Sequence, residues 1–228
     1  MLLPTARSLT LTALLGLAVV TFPAGAGAAP RAHTSARAVT PTRAALTRDG
    51  WTNRYLLDGA WLYRADSSGS GLRRRFYRDT ASTAGWSAVR VPNSYNASTV
   101  STSSFYGTTG WYRKDFYVPR GPVGEQWIVR FESVNYRAEV WLNGRLLGSH
   151  VGAFLPFELG LSGLRPDAVN HLVVRVDNHL GPGDLPAGPY RSRGTPAVGG
   201  WWNYGGILGD VYLRPVQEAN LEQVIVRP

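Results

Sequence analysis

Cysteine is absent from the 228 residues, so no disulfide braces the chain and no thiolate can serve as nucleophile or metal ligand. Lysine is nearly absent too: Lys114 stands alone against 23 arginines, a bias that reads as genomic base composition rather than function. No Asp or Glu precedes Asp49. No apolar run reaches the roughly 20 residues that a membrane span needs. No segment carries a sustained 3.6-residue apolar period, which argues against a helical fold.

What the N-terminus does contain is a leader pattern. Arg7 supplies a positive start, residues 9–20 form an apolar stretch, and the small-residue run 24–29 follows. That is the sequence of a secretory signal peptide, with Ala28 or Ala29 the expected last residue removed. The expected location is therefore secreted, with no membrane association once the leader is gone. Residues 30–48 hold Ala, Thr, Arg and Pro with almost no large apolar side chain. Such a segment cannot bury enough surface to offset its ordering entropy and reads as a flexible linker. About 180 residues then remain, enough for a sizeable core without disulfides. Eight Trp, eleven Tyr and seven Phe are the material for it.

The formal charge of +9 suggests nucleic acid at first sight, but its placement argues otherwise. Five arginines lie before Asp49, and from there onward 19 basic residues face 15 acidic ones, a net of +4. The basic run Arg73-Arg74-Arg75, with Arg78 close by, reads as a solvated strand end. No recognised nucleic-acid motif accompanies it, and no nucleic-acid partner is expected.

The rest of the chain reads as strands. Leu172, Val174 and Val176 alternate with Arg175 and Asp177, the period-2 pattern of a half-buried strand. Trp127, Val129 and Phe131 repeat the pattern, as do Ala138, Val140 and Leu142. Asn143-Gly144 predicts a tight hairpin, because a type I′ turn needs two residues tolerant of positive φ. Further strands are expected at 61–65, 73–78, 87–91, 111–118 and 210–214. Many short strands punctuated by 26 Gly and 15 Pro point to an all-β sandwich or barrel. Two long loops remain, at 93–110 and 181–206, and loops of such length are often functional. Residues 221–226 read as one further strand.

Hydrolytic chemistry finds little support. Glycosidic cleavage needs two carboxylates flanking the bond; Glu132 and Glu139 are the best local pair, and they fall on different strands as ordinary solvated residues. The four histidines show no metal-ligand spacing, and no serine sits in a nucleophile elbow. No catalytic residue, metal or cofactor is implied. The second long loop is more informative. Trp201, Trp202, Asn203 and Tyr204 offer indole faces for the axial C–H groups of a sugar and polar atoms for its hydroxyls. Equally, these rings can pack beneath the loop and close one end of the sandwich.

Several segments together resemble the N-terminal sugar-binding domain of family 2 glycoside hydrolases, the group of β-galactosidases, β-glucuronidases and β-mannosidases. They are Leu57-Asp58-Gly59-Ala60-Trp61, Trp86 through Val91-Pro92, Gly110-Trp111-Tyr112-Arg113-Lys114-Asp115-Phe116, Arg130 through Val134, Ala138 through Gly144, Gly148 through Phe157, Asn170 through Asn178, and Trp201 through Leu213. The resemblance implies a jelly-roll β-sandwich of galactose-binding-domain type. In full-length members an immunoglobulin-like domain and a (β/α)₈ barrel follow, and the catalytic glutamates lie in the barrel. The organisation it implies is a signal peptide at 1–29, a linker at 30–48, the sugar-binding domain at 49–216, and the first strand of a following domain at 217–228. The expected partners are a glycoside substrate and a barrel absent from this sequence. An independent carbohydrate-binding module and a purely structural sandwich are the alternatives.

By family position Asn93, Trp201, Trp202, Asn203 and Tyr204 are candidates for the wall of a sugar site. Packing is favoured for Trp202 and Tyr204, and both readings stand for Asn203. Two positions depart from the family pattern. Gly200 stands where many relatives have an Asp that reaches a substrate hydroxyl, and Gly209 stands where an Arg is usual. Asn96-Ala97-Ser98 fits a glycosylation sequon, an incidental match.

Overall fold

The computed structural model describes residues 46–49, 53–99, 101–185 and 202–216. The leader, the linker up to residue 45, Gly200, Trp201 and the segment 217–228 lie outside the described residues. Those described form the strands β1 (Thr47–Asp49), β2 (Arg54–Leu56), β3 (Gly59–Ala65), β4 (Ser87–Val91), β5 (Asn93–Ser94), β6 (Thr109–Val118) and β7 (Gln126–Phe131). They continue with β8 (Val134–Asn135), β9 (Arg137–Leu142), β10 (Arg145–Val151), β11 (Phe157–Gly160), β12 (Ala168–Asp177), β13 (Gly206–Ile207) and β14 (Val211–Val216), and one short helix, α1 (Thr102–Tyr106).

Two antiparallel sheets make a jelly-roll sandwich. One runs β1-β2-β14-β7-β11 and the other β10-β9-β12-β6-β3-β4, while a small third sheet, β5-β13-β8, bridges one end. Alternation in the sequence explains the interior. Leu172, Val174 and Val176 of β12 are fully buried, and they meet Tyr112, Phe116 and Val118 of β6 and Val129 and Phe131 of β7 in a continuous core. Each such side chain contributes about 1.5–3 kcal/mol by leaving water. The β9–β10 hairpin turns where expected, with Asn143 at φ 51° and Gly144 at φ 85°, as a type I′ turn demands.

The centre of the six-stranded sheet is buried on both faces, which simple alternation does not convey. Val173, Trp111, Trp141 and Leu62 project away from the main core, yet all are buried. Residues 66–86 fold over them and insert Phe76 and Trp86. The rings form a chain: Tyr77 stacks on Trp141 at 5.3 Å, Trp141 on Trp111 at 5.4 Å, and Phe76 meets both Trp111 and Trp86 edge-on. Asp66 anchors this cover. Its carboxylate accepts from the Ser70 and Gly71 amides at 2.8 Å each and from Trp111 Nε1 at 2.9 Å. Burial alone raises a carboxyl's pKa, but these hydrogen bonds outweigh it and hold Asp66 below its ordinary value. Gly71 has no room for a side chain, since a Cβ there would lie 2.4 Å from Trp111 Nε1.

Two expectations need correction. Residues 73–78 are not a strand but a run of tight turns, closed by bonds such as Arg74 N to Ser70 O and Phe76 N to Gly71 O. Phe76 drives this, because it must dip into the aromatic layer while its arginine neighbours stay outside. The end of the segment read as a flexible linker is also strand: Thr47 and Arg48 pair with Leu56 and Tyr55.

Candidate functional site

One end of the sandwich is closed by amides rather than by apolar side chains. Asn203 is its hub and is fully buried. Its Nδ2 donates to the carbonyls of Phe105 (3.1 Å) and Asn178 (2.8 Å), and its Oδ1 accepts from Asn135 Nδ2 at 3.1 Å. Its backbone carbonyl accepts from Asn96 Nδ2 (2.9 Å) and Asn178 Nδ2 (3.0 Å). Asn178 in turn accepts from the Tyr95 hydroxyl and the Thr108 amide, and Asn96 Oδ1 accepts from the Gly205 amide. The network ties the ends of β6 and β12, the α1 segment and the small third sheet to one loop. A buried amide costs least when its donors and acceptors are met; those of Asn203 are paired, whereas the buried Oδ1 of Asn135 has no partner among the described residues.

Strand ends and caps supply the parts. Ser101 caps α1 by accepting from the Ser104 amide at 3.2 Å. Gly206 sits at φ 140°, and a Cβ there would lie 2.4 Å from the Asn93 carbonyl oxygen, so only glycine lets β13 pair with β5.

The sequence candidates divide on this frame. Asn203 does not face solvent and holds no polar atom free for a sugar; it is structural. Asn93 is half-buried, with its Oδ1 accepting from the Tyr112 hydroxyl at 2.8 Å and its backbone paired with Ile207. Trp202 is half-buried and packs on Phe105 at 5.3 Å, as the packing reading expects. Tyr204 departs from that reading: it is 47% exposed, because its backbone is held by Asn135 while its ring stays outside. Trp201 and Gly200 lie outside the described residues. Beside this rim, Arg137 grips Asp184 at 2.6–2.8 Å, and the Tyr136 hydroxyl accepts from the Leu185 amide at 3.0 Å.

Asn135, Asn178 and Tyr95 were not singled out as site residues from the sequence, and Asn96 entered only through a sequon. Asn178 offered a signal, since a polar residue closing an apolar strand must find a partner. Asn96 is 3% exposed and its Nδ2 donates to Ser104 and Asn203, in keeping with the sequon as an incidental match.

The carboxylates beside this end, Asp177 and Asp184, are occupied by Arg175 with His179 and by Arg137, respectively; Glu132 and Glu139 lie apart. Glu132 follows β7 in the five-stranded sheet and bonds Arg130 and Tyr212, which hold it below its ordinary pKa. Glu139 lies in β9 of the other sheet and bonds Arg175 at 2.7 Å. Asp58 and Asp210 do interact, and burial followed by the Asp210 charge lifts Asp58 to about 6. That pair is structural, since Asp58 Oδ1 accepts from the Val211 amide at the root of β14. Among the described residues no group of three or more His, Cys, Asp or Glu could hold a metal ion. Gly209 packs closely, because a Cβ there would lie 2.9 Å from Glu132 Cβ and 3.0 Å from Ser133 N. An Arg at that position requires the Glu132–Ser133 backbone to shift. The end of the sandwich can therefore stack a ring face on Tyr204 and offer its hydroxyl for hydrogen bonding.

Known proteins are similar to this chain. A β-galactosidase of Bacteroides ovatus is 36% identical over 107 residues, 43% of this chain and 13% of that protein. A β-glucuronidase of Sus scrofa is 28% identical over 193 residues, covering 75% of this chain and 29% of its own length. Among solved structures, Ruminococcus gnavus β-glucuronidase superposes with a TM-score of 0.64 at 24% identity, over 76% of this chain and 30% of that one. The chain thus spans less than a third of the length of these relatives. The family model described as glycosyl hydrolases family 2, sugar binding domain, matches residues 55–215, and the chain belongs to that family.

Proposed function

We propose that this chain is the non-catalytic sugar-binding portion of an exported family 2 glycosyl hydrolase. Cleavage of the O-glycosyl bond falls to paired glutamates on a barrel outside this sequence, and the sandwich lines one side of the sugar site. The observation that carries this reading is the closed end built on Asn203, which presents Tyr204 and Trp202 on a hydrogen-bonded frame, while the neighbouring carboxylates Asp177 and Asp184 are held in ion pairs with Arg175 and Arg137. A hydrolase needs a pair of carboxylates flanking the bond. The leader pattern at 1–29 supports export.

The 228-residue chain is expected to leave chromogenic β-glucuronides, β-galactosides and β-mannosides intact. Calorimetric titration with neutral oligosaccharides should show saturable binding that weakens about tenfold in Tyr204→Ala, the loss of one stacking contact and its hydrogen bond. Measurable turnover overturns the non-catalytic assignment. Absence of heat with every oligosaccharide overturns the sugar-binding role and leaves a structural sandwich.

A further inference from the structure

The cover over the outer face of the six-stranded sheet carries a concavity. It encloses about 330 Å³ and is lined by Arg64, Arg74, Arg75 and Arg78 with Thr80 and Ser82. Arg64 projects from β3 on the side opposite Trp61 and Tyr63, and its guanidinium lies 4.4 Å from the Phe76 ring centre. Arg74 approaches the same ring at 5.2 Å. Arg64 is further fixed by donating to the Ala84 carbonyl at 2.9 Å.

The protein offsets these four positive charges only in part, through the field of Asp66 at Arg64. None of them forms an ion pair among the described residues. The nearby carboxylates are engaged elsewhere: Asp66 with Trp111 and the turn amides, Asp79 with Arg165, and Asp115 with Arg113 and His171. Asp79 is the sole acidic residue between Gly69 and Trp86. Burial, then repulsion from Arg74, pulls the Arg64 guanidinium below its ordinary pKa. Gathering like charges in a concave site is unfavourable in the free protein, and an anion placed among them reverses the sign of that interaction.

We propose that this pocket binds the charged group of an acidic glycan, a sulfate or a uronate carboxylate, as a subsite separate from the Tyr204 rim. Guanidinium forks match the planar geometry of carboxylate and the oxygen edges of sulfate bidentately. The Thr80 hydroxyl also lines the pocket, and the Ser82 hydroxyl, whose oxygen accepts from the Ala84 amide at 3.2 Å, keeps its proton to donate to a ring hydroxyl. The volume lies at the small end of ligand sites, which run about 300–1,000 Å³. Nucleic acid fits less well. Single strands need exposed rings on which bases stack, whereas Phe76 is only 6% exposed and already covered by guanidiniums.

The proposal rests on the reading that the chain handles carbohydrate, and the test separates the two. The 228-residue chain is titrated with heparin oligosaccharide, oligogalacturonate, neutral dextran oligosaccharide, inorganic sulfate and a DNA duplex. R74Q/R78Q is compared with R90Q/R145Q, which removes equal charge from exposed positions outside the pocket, and with R74K/R78K. An acidic glycan should bind more tightly than dextran. R74Q/R78Q should lose about tenfold or more, as one or two charge-assisted hydrogen bonds predict, and R90Q/R145Q should change by less than about twofold. R74K/R78K should recover only part of the loss, because charge returns without the fork. Preference for heparin over oligogalacturonate assigns sulfate, and the reverse assigns carboxylate. Equal losses in both Gln doubles, or DNA binding as tightly as either acidic glycan, overturn the proposal in favour of general polyanion attraction. Dextran and acidic glycans binding alike overturns it while the sugar-binding role stands. No binding by any glycan overturns both.

Discussion

Asn203 makes five hydrogen bonds where neither water nor another side chain can replace them. Truncation in Asn203→Ala removes three, those of the side chain, and leaves two backbone carbonyls short of a donor. The expected cost is about 2–4 kcal/mol, read from urea denaturation; a change below about 1 kcal/mol would contradict the hub assignment. Asp58 behaves differently. Its pKa rises from 3.8 to about 6 on folding, so the native state holds a proton that the unfolded chain has released. Its stabilising contribution is therefore complete below about pH 4 and disappears as pH rises through about 6. Asp58→Asn retains an acceptor for the Val211 amide and cannot ionise. Relative to wild type the variant should gain stability between pH 4 and pH 7. The shift corresponds to at most about 3 kcal/mol, reduced to about 1–2 kcal/mol by partial solvent exposure. Parallel stability curves for the two proteins across that range would sink the assignment.

At the scale of elements, the cover formed by residues 66–86 hangs on the Asp66 carboxylate. In Asp66→Asn one acceptor oxygen becomes a donor, facing either the Ser70 amide or the Gly71 amide and Trp111 Nε1. Loss of about 2–3 kcal/mol is expected, with the Phe76 amide exchanging hydrogen far sooner while β12 amides stay protected. Uniform acceleration across both would mean that the cover and sandwich unfold together. The same element shows why sequence patterns carried only part of the way. Strands β4, β6, β7, β9, β10, β12 and β14 were legible because period-2 alternation and the Asn143-Gly144 turn are local signals. Residues 73–78 were misread because Phe76 is an isolated aromatic among arginines, and its destination under Trp86 and against Trp111 is set by tertiary packing. Val173 and Trp141 looked solvent-facing for the same reason. Alternation identifies the two faces of a strand but does not say whether something covers the second.

For the whole molecule, the family pattern conveyed the sandwich because its segments span both sheets in order. The candidate site was less legible. Trp202 and Tyr204 share one short block, yet one packs and the other faces out, and no local rule separates them. Asn203 could be fixed as structural only once Asn96, Asn135 and Asn178, distant in sequence, were seen around it. Charge was legible as a sum but not as a shape: the arginines that surround the 330 Å³ concavity come from β3 and from turns after it. The chain of rings from Tyr77 through Trp141 and Trp111 to Phe76 and Trp86 has an optical consequence. Three of the eight tryptophans belong to this outer layer, and two of them lie 5.4 Å apart at 25°, close enough for their excited states to couple. The folded chain should therefore show an exciton couplet in circular dichroism that reports on the cover, while the inner Trp61 and Trp127 report on the sandwich. A Trp141→Phe variant that keeps the couplet would place its origin elsewhere.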